Sequence, residues 1–318
     1  MIAKIAFKLQ NYLAIEIKKM RKLRYVFLWL LALGLCGACS QTDKVAHEDD
    51  STALKLGVLP TVDCLPFYYA DSLGLFDSIG VNVRLITFDA AMDADTAFVN
   101  GDIDGIVSDL VKACLWNGQG DSVRIVMGGD LRLWLITAQN ARLLKAESLK
   151  EKIIGITRHS ALDFFTDKIL ASVQLESIDL NKPQINNIRI RTSMVNLNQY
   201  DGAILPEPFA SEAVAHGAKR LTSTEDLKVA EMMCVVFADS VYQARKEEVC
   251  LIRDVYDRAV EALNADSTSC VLDYLPKDEH FYLPDTLFEY VPMRPSSMPS
   301  DSMMQEVEKW AKGRELIK

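Results

Sequence analysis

Between Leu54 and Phe237 short apolar runs of strand length alternate with segments of helical spacing, and they do so in two blocks. In the first block Leu54–Leu59, Val81–Phe88, Ile103–Ser108 and Val123–Met127 read as strands. Leu65–Leu75, Ala90–Asn100 and Leu110–Trp116 read as the helices between them. In the second block Lys152–Thr157, Ile188–Thr192, Ala203–Leu205 and Arg220–Leu221 read as strands, with helices over Ser160–Val173 and Glu207–His216. Ser160 and Asp163 have the spacing of a capping box. Met232–Phe237 leads back toward the first block, and helices follow over Ser240–Leu263 and Met303–Leu316. Such alternation builds mainly parallel sheets covered on both faces. The expectation is therefore an α/β protein of two lobes, 54–137 plus 235–318 and 138–234, with hinges near Thr137–Ala138 and Met233–Cys234. In open α/β sheets ligands gather beyond the carboxyl ends of the strands, at helix N-termini. Both lobes would present those ends to one cleft.

The amino end reads as an address rather than as structure. Lys18, Lys19, Arg21, Lys22 and Arg24 precede an apolar run from Tyr25 to Leu35, followed by Gly37, Ala38 and Cys39. A positive region, a short apolar region and a small-residue site describe a secretory signal. The run is shorter than the ~20 residues of a membrane span. Met20 begins a signal of ordinary length, so residues 1–38 are read as the signal and 39–53 as a polar tether. Cys36-Gly37-Ala38-Cys39 resembles the lipobox of bacterial lipoproteins, with Cys36 where leucine is usual. That resemblance implies lipidation at Cys39 and an extracytoplasmic location.

The whole chain carries a net charge of −9; residues 1–38 hold seven Lys/Arg and one Asp/Glu, so the remainder carries −15. No basic block remains to hold phosphates, which argues against nucleic acid as a partner. The seven cysteines are scattered singly, with no spacing for zinc. There is no G-x-S-x-G, H-E-x-x-H or P-loop, and the four histidines are dispersed. No catalytic residue, metal or cofactor is assigned.

Several motifs in order then resemble one family. Leu56-Gly57-Val58-Leu59-Pro60, Pro66-Phe67-Tyr68-Tyr69-Ala70 and Gly74-Leu75-Phe76-Asp77-Ser78-Ile79-Gly80-Val81 resemble the opening of solute-binding proteins of bacterial ABC importers. Asn100-Gly101-Asp102-Ile103-Asp104 and the pair Tyr200-Asp201-Gly202-Ala203 and Pro206-Glu207-Pro208-Phe209-Ala210 resemble later signatures of the same family. The similarity is to the branch that handles nitrate, taurine, aliphatic sulfonates and thiamine pyrimidine precursors. It implies a two-lobed, type II periplasmic-binding-protein-like fold and a monomer. It also implies a small-molecule ligand (a sulfonate, nitrate or an aminopyrimidine-like compound) delivered to an ABC permease and its ATPase. An enzyme on the same fold, or a sensory lipoprotein that does not transport, are the alternatives.

The expected ligand residues lie at the strand tips. Thr61, Asp63 and Phe67 follow the first strand, and Asp89 and Met92 follow the second; each could equally form a turn or pack. Tyr68 could offer a stacking face. Ser108 and Asp109 end one strand at a helix start, and Pro206-Glu207 does the same in the other lobe. As first-turn acids Asp109 and Glu207 also suit the helix dipole. Facing each other, they would hold the donors of an amine-bearing heterocycle. The turn Thr157-Arg158-His159-Ser160 offers a hydroxyl and backbone N–H groups, and the Arg158 guanidinium would instead favour an oxyanion.

Overall fold

The computed structural model describes residues 52–265, 271–277, 281, 283–284 and 288–318. The signal, the tether and Cys39 therefore lie outside the described residues, as do Cys270, His47 and His280. Among the described residues no helix is long and apolar enough to cross a membrane.

The first lobe begins with β1 (Leu54–Val58), whose Leu54, Leu56 and Val58 are wholly buried. Helices α1 (Leu65–Ser72) and α2 (Leu75–Ser78) lead to β2 (Val83–Thr87). Then come α3 (Ala91–Val99), β3 (Gly105–Asp109), α4 (Leu110–Gln119) and β4 (Val123–Gly129). The chain next enters a second sheet through β5 (Leu133–Thr137) and β6 (Ile154–Gly155). It continues through α5 (Ala161–Ser172), α6 (Ile188–Asn196), β7 (Gly202–Pro206), α7 (Phe209–Ala215) and β8 (Lys219–Ser223). It returns as β9 (Met233–Ala238), followed by α8 (Asp239–Ala244), α9 (Lys246–Ala265) and α10 (Asp301–Gly313).

The strand orders are β2-β1-β3-β9-β4 and β6-β7-β5-β8. Each sheet contains one strand that opposes the rest. β9 runs antiparallel to both β3 and β4, and β5 antiparallel to both β7 and β8. In both cases the opposing strand is the one that has just arrived from the other sheet. Gly202 allows the close β5–β7 approach, because a Cβ there would stand 2.4 Å from the Ile136 carbonyl oxygen.

Three sequence expectations are corrected. Pairing of β5 with β7 and β8 puts Leu133–Thr137 wholly in the second sheet, so the chain changes sheets between Gly129 and Leu133 and not at Thr137–Ala138. Ile188–Thr192 alternates like a strand but forms the start of α6. Asn187 caps it by accepting the Ile190 N–H at 3.0 Å, and Ile188, Arg191, Thr192 and Val195 make its buried face at helical spacing. The long helix expected from Ser240 is broken at Arg245 into α8 and α9.

Helix α9 buries Val249, Ile252, Val255, Tyr256, Ala259, Val260 and Leu263 along one stripe against the first lobe. Helix α10 packs on α4 and also reaches the second lobe. Arg314 Nη1, just past its end, lies 3.0 Å from Asp163 and 2.9 Å from Asp167 of α5. Trp310 Nε1 donates to Asp167 at 2.9 Å. Lys182 completes this group, 2.7 Å from Asp163 and 2.9 Å from Asp167.

Candidate functional site

A cavity of about 70 Å³ lies where the carboxyl ends of the two sheets meet. The first lobe lines it with Thr61 and Asp63 from the loop after β1, Asp95 of α3, the end of β3 and Lys112 of α4. The second lobe lines it with Thr157, Ser160, Asn186, Ile188 and Arg191, among others.

The sharpest feature is Arg191. It is 2% exposed, and no carboxylate among the described residues pairs with it. Its Nε donates to the Ile204 carbonyl at 2.9 Å, and Nη1 donates to the Ile185 carbonyl at 2.6 Å and the Thr157 hydroxyl at 3.2 Å. Burial pulls its pKa down to about 9, so it remains a cation at neutral pH. Burying an ion costs several kcal/mol unless charge and hydrogen bonds answer it. Here neutral acceptors answer only in part, and Arg191 lines the cavity shared by the lobes.

The other charges are arranged differently. Lys112 is matched by Asp95 at 2.8 Å, both largely buried. Asp109 caps α4 by accepting the Lys112 N–H at 3.0 Å. Burial raises its pKa from 3.8 to about 6, against the opposing pull of Lys112 and of the backbone N–H groups of Lys112 and Ala161. Ala161 begins α5 in the other lobe, so this carboxyl faces a helix N-terminus across the cleft. Burial also raises Asp63. The Thr61 hydroxyl is buried and makes no hydrogen bond of good geometry.

Of the expected residues, Thr61, Asp63, Ser108, Asp109, Thr157 and Ser160 line this cavity together. Ser160 also caps α5 by accepting the Leu162 N–H at 3.2 Å, and its hydroxyl donates to the Thr157 carbonyl.

Seven others are placed elsewhere. Phe67 is wholly buried in the core against Tyr256, with ring centroids 5.3 Å apart. Tyr68 is buried, its hydroxyl 3.0 Å from that of Thr87. Asp89 and Met92 fasten the lobes at the cleft mouth. The Asp89 carbonyl accepts the Ile188 N–H at 3.3 Å, and Met92 Sδ accepts from Gln184 and Asn186. Arg158 turns outward and donates to the Lys182 carbonyl at 2.9 and 3.2 Å. His159 is exposed at φ 54°, its backbone N–H donating to Asp163. Glu207 accepts from Arg220 at 2.6 Å and from the Ser211 N–H at 3.0 Å, and lines a neighbouring cavity. Among the described residues no aromatic ring lines the cleft cavity.

Arg191, Lys112, Asp95 and Asn186 escape the sequence reading. The signal for Arg191 is present: it interrupts an apolar stripe of helical spacing formed by Ile188, Thr192 and Val195.

The NMT1-like family model matches residues 47–268. The chain belongs to the NMT1-like family. Among curated proteins none matches it. Solved structures supply the fold of this NMT1-like chain. The alkanesulfonate-binding protein SsuA from Xanthomonas axonopodis pv. citri, bound to MOPS, is 16% identical with a TM-score of 0.73, the match covering 86% of this chain and 96% of that one. The periplasmic nitrate-binding protein NrtA from Synechocystis PCC 6803 is 13% identical with a TM-score of 0.69, covering 84% and 82%. A ligand-binding component of an ABC-type import system from Staphylococcus aureus, with zinc bound, is 14% identical with a TM-score of 0.68, covering 84% and 93%. The NMT1-like chain thus has the two-lobed, type II periplasmic-binding-protein fold.

Proposed function

We propose that this NMT1-like protein is the solute-binding component of an ABC importer, anchored by lipid at Cys39 outside the cytoplasm and working as a monomer. Ligand enters the open cleft, bridges the lobes and shifts the equilibrium toward the closed form, which docks on the permease. The ligand carries a small oxyanion of the sulfonate or nitrate kind. The observation that carries this reading is Arg191, a buried cation with no carboxylate partner among the described residues, lining a cavity shared by both lobes. An anion there would complete its pairing. The Thr61 and Ser160 hydroxyls stand on the cavity wall as further polar groups.

Arg191 shifts the balance away from an aminopyrimidine-like ligand held by paired acids. Glu207 is already engaged by Arg220 and lies outside the cavity, and among the described residues no ring lines it to stack on a heterocycle.

The test is thermal denaturation and calorimetry of the chain against methanesulfonate, taurine, nitrate and aminopyrimidines. A ligand at 100 times its Kd should add about 2.7 kcal/mol of stability. At least one oxyanion should do so, and Arg191→Lys should weaken it by tenfold or more, because a point charge cannot reproduce the guanidinium fork. Binding of aminopyrimidines alone, or oxyanion binding that Arg191→Lys leaves intact, would overturn the reading.

A further inference from the structure

Beside the cleft cavity lies a larger one of about 310 Å³, which meets the first at Asp63. Its walls come from both lobes, from the crossings between them and from the strap around 288–294. Arg132 ties that strap down by donating to the Val291 and Pro292 carbonyls at 2.9 and 3.0 Å.

The charges on this wall largely cancel in pairs. Arg132 lies 2.8 Å from Glu225 and Arg220 lies 2.6 Å from Glu207, while Arg294 pairs with Asp130. Among the described residues no cation pairs with Asp63, which sits inside, or with Glu289, which is exposed. The Tyr256 side chain adds a second, independent sign. The residue is 1% exposed, its ring packs on Phe67, it lines this cavity, and its hydroxyl has no hydrogen-bond partner among the described residues. Burial, with Asp63 and Asp130 nearby, pushes that phenol well above the ordinary tyrosine range, so it stays protonated. The remaining surface is apolar or aromatic: Val62, Trp134, Phe288, Val291 and Met293. Arg220 lies 4.8 Å over the Trp134 ring and holds the indole in place.

We infer that this second cavity binds a cationic amine carried on an aromatic ring, with the ammonium on Asp63 and the Tyr256 hydroxyl and the ring among Trp134, Phe288 and Met293. A half-buried carboxylate without a cation calls for a positive charge, and an unpartnered phenol accepts an N–H. An anion would meet an already neutralised wall with a carboxylate to spare. A small cation without a ring would leave the apolar surface uncovered. Because both crossings line the cavity, through Asp130, Arg132 and Glu225, an occupant would sit against the segments that bend when the lobes part.

The proposal goes beyond the cleft reading and can fail separately from it. Calorimetry of the purified full chain with benzylamine, methylamine and benzoate tests it. Benzylamine should bind saturably, at least tenfold more tightly than either of the others. Tyr256→Phe, which keeps the packing on Phe67, should weaken benzylamine about tenfold through loss of one charge-assisted hydrogen bond. It should do so without lowering the melting temperature or the affinity for the cleft oxyanion. Asp63→Asn should remove saturable binding. No preference for benzylamine, or unchanged affinity in Tyr256→Phe, would overturn the inference. Arg191→Lys reads the cleft and Tyr256→Phe reads this cavity, so each variant reports on its own site.

Discussion

Strands β3 and β7 end alike in sequence, each delivering an acidic residue near a helix start beside the interface of the lobes. Their acids nevertheless have opposite circumstances. Glu207 is held by Arg220 and by the Ser211 N–H, so its charge is answered inside its own lobe. Asp109 is 8% exposed, and the nearest cation, Lys112, is matched by Asp95. Its carboxyl faces the α5 N-terminus of the opposite lobe and is pushed up to about 6 by burial. A motif places a charge, but the neighbours that decide its cost come from elsewhere in the chain. One acid is a brace within its lobe, and the other is a buried carboxyl at the contact between the two lobes.

The largest expected effect tests the cation that both acids leave unanswered. Arg191→Met should abolish oxyanion binding, a loss above about 100-fold. It should also cost about 2–4 kcal/mol of stability in urea denaturation, because the Ile185 and Ile204 carbonyls lose their donors. Retention of oxyanion binding would make the contrast between the two acids irrelevant to the ligand.

Next comes Asp109→Asn, which keeps the cap because asparagine serves as well as aspartate there. In the native protein Asp109 titrates near 6 instead of 3.8, so between these values the folded state holds more protons than the unfolded state. The Asp109 contribution to stability is therefore most favourable below about pH 4, is lost as pH rises to about 6, and is level above it. The cost above pH 6 is about 2–3 kcal/mol. Asp109→Asn should recover that amount at pH 7.5, and its advantage over wild type should grow from pH 4 to about 6 and stay level above, as read by urea denaturation from pH 4 to 8. Glu207→Gln should go the other way, losing about 1–2 kcal/mol as partly buried Arg220 gives up its carboxylate. If both variants shift stability in the same direction, the comparison fails.

Thr61→Val makes the smallest change. The Thr61 hydroxyl makes no hydrogen bond of good geometry, so stability should stay within about 0.5 kcal/mol of wild type. Affinity for the oxyanion should fall several-fold in calorimetry.

The sequence made much of this architecture legible. Strand runs such as Leu54–Val58 and the helical stripe from Val249 to Leu263 carry their periods openly, because burial on one face imposes them. The cap residue Ser160 is equally readable, since capping is local chemistry, and Asp109 reads as an acid at a helix start. What was hidden depends on distant parts of the chain. Arg191 was concealed by Ile-Arg-Ile-Arg, whose alternation suits a strand until Asn187 starts a helix. Phe67 and Tyr68 resembled ligand groups because core and site both use aromatic side chains, and only Tyr256 and Thr87 decide between those roles. Asp89, Met92 and Arg158 sit near strand tips as expected, but contacts with Ile188, Asn186 and Lys182 turn them to other work.

The position of β9 between β3 and β4 has a consequence for how the molecule is made. As the chain folds, β4 has no neighbouring strand until β9, which follows the entire second sheet in sequence, comes to lie beside it. The second lobe is one uninterrupted stretch that can assemble early, whereas the first remains half a sheet with a bare edge until then. Non-local closure of this kind is slow and leaves that edge open to wrong partners until β9 is in place.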